Sequence, residues 1–321
     1  MTWYATLQEA RQELVVDTAG NETTAEEDAY VLQALEWVTE RIDNWPSLGF
    51  EFAPRKATRY VDAPQASMAN SWGPSVLTQG QADDPDLLLQ LRQPLLTVSE
   101  VEDGMGETLD LWDGTREGRA DADFYLYPRN TTPAWALRML PESAHAWSEY
   151  DTDPVEAIRI TGTWGYHSDY AHAWRKHNQV VGNNPLAADA NALTVTDASG
   201  LSVGQLLQIE SEWLLIEAIT EGEEEADPDT LTVARAVRGT SAAAHNQNTL
   251  IYVWQPESMI QRACVLWVAY LYSRRGNYAD KKNDGMGTIT FPPDAPHEVS
   301  AILETFAPKA QTDQKGAWGA I

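Results

Sequence analysis

Residues 256–275, PESMIQRACVLWVAYLYSRR, decide how the rest of the chain is read. Their period is helical: Met259, Ala263, Leu266, Ala269 and Tyr270 share one face, and Ile260, Cys264, Trp267 and Leu271 lie beside it. A helix that is apolar over most of its circumference belongs at the centre of a core or of an interface between subunits. Arg274 and Arg275 fall in its last turn, where cations complement the negative end of the helix dipole, and Gly276 is the expected stop.

On either side of this helix the pattern changes. Before it, residues 186–254 alternate with period two in ALTVT, QLLQIES, EWLLIEAI, TLTVARAV and TLIYVW, a block of strands. After it come a short strand, GTITF, and an amphipathic helix with Val299, Ile302, Leu303 and Phe306, opened by Pro296. The chain also begins with helices. Val31, Leu35, Val38, Ile42 and Trp45 recur at spacings of four and three, Thr23 and Glu26 offer a capping box, and Pro46 ends the run. A shorter helix from about Thr6 to Val15 precedes it through the turn-forming DTAGNETT, so the chain opens with an antiparallel helical pair.

Between about Thr58 and Gly165 lie β-rich pieces, LLLQLRQ, LLTVSEVED, TLDLW, DFYLYP and VEAIRITGTWGYH, separated by turn clusters such as EDGMGE and DGTREG. Short connections predict a mainly antiparallel sheet. The stretch ASMANSWGPSVLTQGQADDPD reads as a long surface loop. The expected class is therefore α+β: a helical core built from the N-terminal pair and the C-terminal helices, with an antiparallel β region and an inserted small β domain. Its expected divisions are 1–185, 186–254 and 255–321, the last closing in a partner-binding tail.

Composition bounds the function. Of 321 residues, 43% are hydrophobic and 22% charged, enough apolar surface to offset chain entropy. Forty-eight acidic residues against 22 basic ones give a formal charge of -26, a field that disfavours tight DNA binding and offers no attraction to anionic membranes. Cys264 stands alone, which excludes an intrachain disulfide, and reads as a small buried hydrophobe. The start MTWYATLQEARQEL lacks the basic and apolar segments of a signal peptide, and apolar runs are too short for a membrane span. The expected location is a cytosol, left only by lysis.

The search for chemistry returns little. Glycine-rich phosphate loops, nucleophile-elbow serines, His-Glu-x-x-His and paired cysteines are missing from the sequence, so no catalytic, cofactor or metal residues are expected. His167, His172 and His177 are spaced by five, which places neighbours apart on either a helix or a strand and reads as polar loop. The acidic tract 221–229, EGEEEADPD, lacks the spacing and pivot glycine of a calcium loop and reads as a solvated hairpin tip, with cation binding as the sharper alternative. Thirteen tryptophans, among them Trp37, Trp72, Trp112, Trp164, Trp213 and Trp267, are scattered along the chain. Packing explains them more simply than a sugar platform, for which Trp213 and Trp72 are the candidates. Nothing singles out two carboxylates as a glycosidase pair.

Several segments, in order, resemble the head-to-tail connector, or adaptor, proteins of tailed bacteriophages. They are the helical opening ending in TERIDNWPSLGFEFAPRKATRYVDA, the strand and turn of DFYLYPRNTTPAWALRML, the strand end AIRITGTWGYH, and the helix IQRACVLWVAYLYSRRGN with its aromatics and paired arginines. The β-insert ending in TLTVARAVRGTSAAAHNQNTLIYVW is similar to a module of some such connectors, in which the Arg238–Thr240 and Ala244–His245 segments read as a turn signature. The chain is longer than compact members by the 63–86 loop and the β-insert. The resemblance implies a structural virion protein without catalysis, located at the neck and assembled in the host cytoplasm. It implies a homo-oligomeric ring, commonly dodecameric, between the portal protein and the next neck or tail component, with genomic DNA passing through its lumen. Leu266, Trp267, Tyr270, Leu271, Arg274 and Arg275 would form the ring's core helix. Trp318, Ile321 and Phe306 would contact the portal or another partner. A carbohydrate-binding or degrading virion protein, a stopper and a tail terminator are the alternatives.

Overall fold

A computed structural model describes residues 1–14, 25–64, 87–224, 227–274, 282–283, 289–290 and 295–307. Contacts divide the chain into two compact units, residues 1–51 with 174–321 and residues 52–173. The five-stranded antiparallel region is thus a unit with its own core, and the small β domain groups with helices from both chain ends. The class is α+β: the described residues hold four α-helices, antiparallel sheets of five and six strands, and a two-stranded antiparallel pair, Lys282–Asn283 with Ile289–Thr290.

In the first unit, α1 (Leu7–Leu14) and α2 (Ala25–Asp43) pack with α3 (Ser258–Ser273), which also carries α4 (His297–Thr305). Thr6 and Glu9 cap α1 reciprocally: Glu9 N donates to Thr6 Oγ1 at 3.2 Å and Thr6 N to Glu9 Oε2 at 2.8 Å. The box expected at Thr23 lies outside the described residues. The helical stripe of α2 behaves as its period requires, with Val31, Leu35, Val38 and Ile42 all at 0% exposure. Opposite it, α3 buries Ile260, Ala263, Cys264, Trp267 and Val268. Trp37 and Trp45 stand edge-on to the Trp267 ring at 6.0 and 5.9 Å. Polar ties complete the packing: Tyr272 Oη donates to Glu27 Oε1 at 2.8 Å, Gln261 Nε2 to Glu9 Oε1 at 2.6 Å, and Trp45 Nε1 to Glu304 Oε1 at 3.2 Å.

The same unit contains a six-stranded sheet. Its strands are β6 (Trp174–Val180), β7 (Ala192–Val195), β8 (Leu206–Ile209), β9 (Glu212–Thr220), β10 (Asp229–Ala234) and β11 (Leu250–Trp254), in the order β6-β11-β8-β9-β10-β7. The outer strands meet where Gly182 N, just past β6, donates to Thr194 O of β7 at 2.8 Å, and Asn183 Oδ1 accepts from Thr194 N at 2.8 Å. The sheet thereby curls into a small barrel whose two ends meet at this seam. Glycine is required at the closure, since a Cβ on residue 182 would lie 2.8 Å from Thr194 O. Leu193, Val195, Leu207, Ile209, Leu214, Leu231, Val233 and Ile251 fill the interior. All five strands expected in 186–254 are present, and β6 adds a sixth from before that boundary.

The second unit is a five-stranded antiparallel sheet of β1 (Arg55–Val61), β2 (Leu88–Glu102), β3 (Phe124–Tyr127), β4 (Ala134–Met139) and β5 (Ile158–Trp164), ordered β1-β5-β2-β4-β3. LLLQLRQ and LLTVSEVED, read as separate strands, form the single strand β2. Its first part pairs with β4 and its second with β5, with a register shift between Gln90 and Leu95. A bulge of this kind bends a strand without ending it, so the break in alternation mimics a strand end. TLDLW is not a strand; Thr108 and Leu111 make isolated bridges only. In the strand end GTWGY, Gly162 lets the chains approach where a Cβ would sit 2.3 Å from Thr97 O. Trp164, 3% exposed, donates from Nε1 to Ala57 O at 3.0 Å beneath the guanidinium of Arg59.

Candidate functional site

The most concentrated polar chemistry among the described residues lies inside the barrel, at the start of β9. Ile209 pairs with Glu212, so Glu210 and Ser211 form a two-residue hairpin loop. The strand then carries the Glu212 side chain inward to 0% exposure. A buried carboxylate must be paired and hydrogen-bonded to persist. Arg235, just past β10, donates to it twice, Nε to Oε1 and Nη2 to Oε2, both at 2.7 Å. Backbone groups add Ala236 N at 3.1 Å and Ala243 N at 3.0 Å, and His245 Nε2 lies 2.8 Å from Oε2. Burial alone would push the Glu212 carboxyl up, but Arg235, the Ala243 N–H, His245 and the Ala236 N–H outweigh it and hold it at about 2.

The donors of this network are spent on structure. Arg235 also donates to the carbonyls of Ala187, Ala190 and Ala243, and His245 Nδ1 reaches Glu210 Oε2 at 2.8 Å. The loop from Ala236 to His245 is thereby tied to β9 at both ends. Within it, the Arg-Gly-Thr segment forms a tight 3-10 turn, Val237–Gly239, closed by Thr240 Oγ1 donating to Val237 O at 3.0 Å. Thr240 Oγ1 also accepts from Trp213 N at 3.1 Å, and Arg238 pairs with Glu51. The arrangement is a fastener that holds a loop.

The other residues singled out by sequence are dispersed. On α3, Trp267 is fully buried, whereas Leu266, Tyr270 and Leu271 are only partly covered and Arg274 lies over the Tyr270 ring. Phe306 caps the end of α4 and is partly buried. Arg275, Trp318 and Ile321 lie outside the described residues, as do Gly276, Trp72 and the 66–86 stretch. Trp213, a candidate sugar platform, is 2% exposed with its ring against Trp174 at 5.4 Å, so a glycan has no access to it. His167 belongs to one unit and His177 to the other. His172 pairs with Asp169 at 2.8 Å, and burial pushes His177 down. Among the described residues of the 221–229 tract, Asp229 accepts from Gly222 N and Ala198 N, binding the β9–β10 connection to the barrel. No group of three or more His, Cys, Asp or Glu among the described residues has the geometry of a metal site. No described helix is long and apolar enough to cross a membrane. Burial drives the Cys264 thiol up to about 12, as befits a packing residue.

Sequence reasoning passed over Glu212, Arg235 and His245 as a set. The signal was present in EWLLIEAI, where an acid occupies the first position of a run that continues with the buried Trp213, Leu214 and Ile216. Its partners lie 23 and 33 residues away, a distance that no local pattern spans. Comparison with protein families, curated proteins and solved structures returns no match for the chain.

Proposed function

We propose that this chain is a structural virion protein, a head-to-tail adaptor that forms a ring, dodecameric in the family it resembles, between the portal and the next neck or tail component. The observation that carries the reading is the state of α3. This helix, apolar nearly all round, buries Trp267 within the subunit yet leaves Met259 43% exposed and Leu266 and Tyr270 only partly covered. A helix of that character holds its subunit together with one face and offers the other to a neighbour. Contiguous packing of both chain ends onto α3 adds support, because it places the N-terminal helices and the C-terminal α4 in one body. The charge of -26 suits a lumen through which DNA passes without binding.

Electron microscopy of neck complexes, with binding of the purified chain to an isolated portal ring, tests the proposal. The expected result is ring density for this chain beneath the portal. Absence from the neck together with no binding to the portal ring overturns it. A monomer in free solution is compatible with assembly on a portal template.

A further inference from the structure

β1 is the outermost strand of the five-stranded sheet: it pairs with β5 on one side and, among the described residues, with no strand on the other. Which of its backbone groups face the open side follows from β5. Thr161 O accepts from Ser99 Oγ of β2 at 3.0 Å, so Thr161 turns its amide groups toward β2 and away from Thr58, its partner on β1. Thr58 and Thr161 are therefore a non-hydrogen-bonded pair, in which side chains come close, and their hydroxyls lie 2.9 Å apart. The N–H and C=O of Thr58, and by alternation those of Tyr60, point outward. The first part of β2 is open in the same way. Leu87 O accepts from Met139 N at 2.8 Å, so Leu87 and Leu89 are the residues bonded to β4, and the amide groups of Leu88 and Gln90 turn to the opposite side. There β5 pairs with β2 only from Leu95 onward.

These two open rows line the same groove of about 630 Å³, Thr58 and Tyr60 from one strand and Leu88 and Gln90 from the other. Both strands run antiparallel to β5 and so parallel to each other, and an extended segment laid between them can bond to both. The buried Leu89, Leu91 and Trp164 also line the groove, while Gln90 and Arg92 alternate with the leucines and are exposed. Charge selects the segment. β1 and residues 88–93 carry Arg55, Lys56, Arg59 and Arg92 and no carboxylate, in a chain whose formal charge is -26. Arg59 lies over the Trp164 ring at 4.8 Å, and the carboxylates of the groove, Asp62 and Glu156, fall beyond the end of β1. Like charges on facing strands repel, so a second β1 is disfavoured as the occupant and an acidic strand is favoured.

We infer that the groove between β1 and the first part of β2 takes an extended acidic segment of a partner protein, which adds a strand to the sheet. The main chain of the segment bonds to Thr58 and Tyr60 on one side and to Leu88 and Gln90 on the other. Its apolar side chains, at every second position, pack toward Leu89, Leu91 and Trp164, and the carboxylates between them lie on the solvent side with Arg92. Main-chain bonds then supply the affinity, and the alternating side chains the specificity. The groove lies wholly within the second unit, so the inference is independent of the face of α3 and of the ring proposed from it.

Titration of the full chain with the peptide Glu-Val-Glu-Val-Glu-Val-Glu, and with its lysine counterpart, tests the inference by amide hydrogen exchange and by fluorescence anisotropy of the dye-labelled peptides. The acidic peptide is expected to slow exchange at Thr58, Tyr60, Leu88 and Gln90, to leave the already bonded Arg59 and Leu89 unchanged, and to bind more tightly than the lysine peptide. Thr58→Pro removes one outward N–H at an edge position where proline is tolerated, and is expected to weaken binding about tenfold, the worth of one hydrogen bond. Arg92→Glu, at an exposed position, keeps the fold and is expected to narrow the preference for the acidic peptide. Unchanged exchange at the outward amides, equal binding of the two peptides, or binding untouched by both substitutions overturns the inference. Slow exchange at those amides without any peptide also overturns it. Slowing that grows with protein concentration would give the groove to a second copy, and slowing independent of concentration to the chain itself.

Discussion

Glu212 is a residue whose worth depends on its partners. In water it would be an ordinary carboxylate; in the barrel it takes charge-assisted bonds from Arg235 on both oxygens. Its folded value of about 2 lies below the ordinary 4.5, so the folded state favours the ionised form. The stability this contributes is fully present above about pH 4.5 and is lost as pH falls toward 2, amounting to roughly 3 kcal/mol at most. Acid unfolding curves of the wild type and of Glu212→Gln check it. The variant is expected to lack this acid-dependent component, and at neutral pH to be less stable by about 3–5 kcal/mol, because Arg235 keeps a buried charge without its counter-ion. A neutral-pH loss below about 1 kcal/mol would show the network to be dispensable.

At the scale of elements, α3 organises the first unit through one large side chain. Trp267 is fully buried and meets Trp37 and Trp45 edge-on. Removing the indole leaves a cavity against the Trp37 and Trp45 rings, and Trp267→Ala is expected to cost about 3–5 kcal/mol in denaturant unfolding. Leu266→Ala, a change on the partly covered face, should cost the isolated chain much less than that. Equal losses at the two positions would mean that α3 has no outward face. The elements themselves were legible because their period is local. The 3.6-residue stripe of Val31, Leu35, Val38 and Ile42 and the alternation of TLTVARAV, with Leu231 and Val233 inward, both survive in the structure. The capping box of α1 is set by the equally local spacing of Thr6 and Glu9. Legibility ended at β2, where a bulge interrupts the alternation of a continuous strand.

For the whole molecule, charge and apolar surface act in opposite directions. A formal charge of -26 makes copies of the chain repel, while the open face of α3 favours contact. Repulsion is screened within about 10 Å at 0.1 M salt, so the assembly of copies on a portal ring proposed above is expected to strengthen with added salt. Sedimentation velocity of the chain mixed with an isolated portal ring, from about 50 mM to about 500 mM NaCl, checks this, with weight-average mass rising across the range. A mass that falls with salt would assign the contact to ion pairs between copies and not to the apolar face.

The sequence by itself determined the class, most of the elements and the distribution of charge, because helical and strand periods and net charge are sums over neighbouring residues or over the chain as a whole. Only the tertiary structure decided that α3 turns Trp267 inward and leaves Leu266 partly open, that β6 and β7 close a barrel at Gly182, and that the contacts divide at residues 51 and 173. It also decided that Glu212, Arg235 and His245 meet. Each of these depends on which distant surfaces come together. The free energy of a buried charge is set by those distant partners and not by its neighbours in sequence.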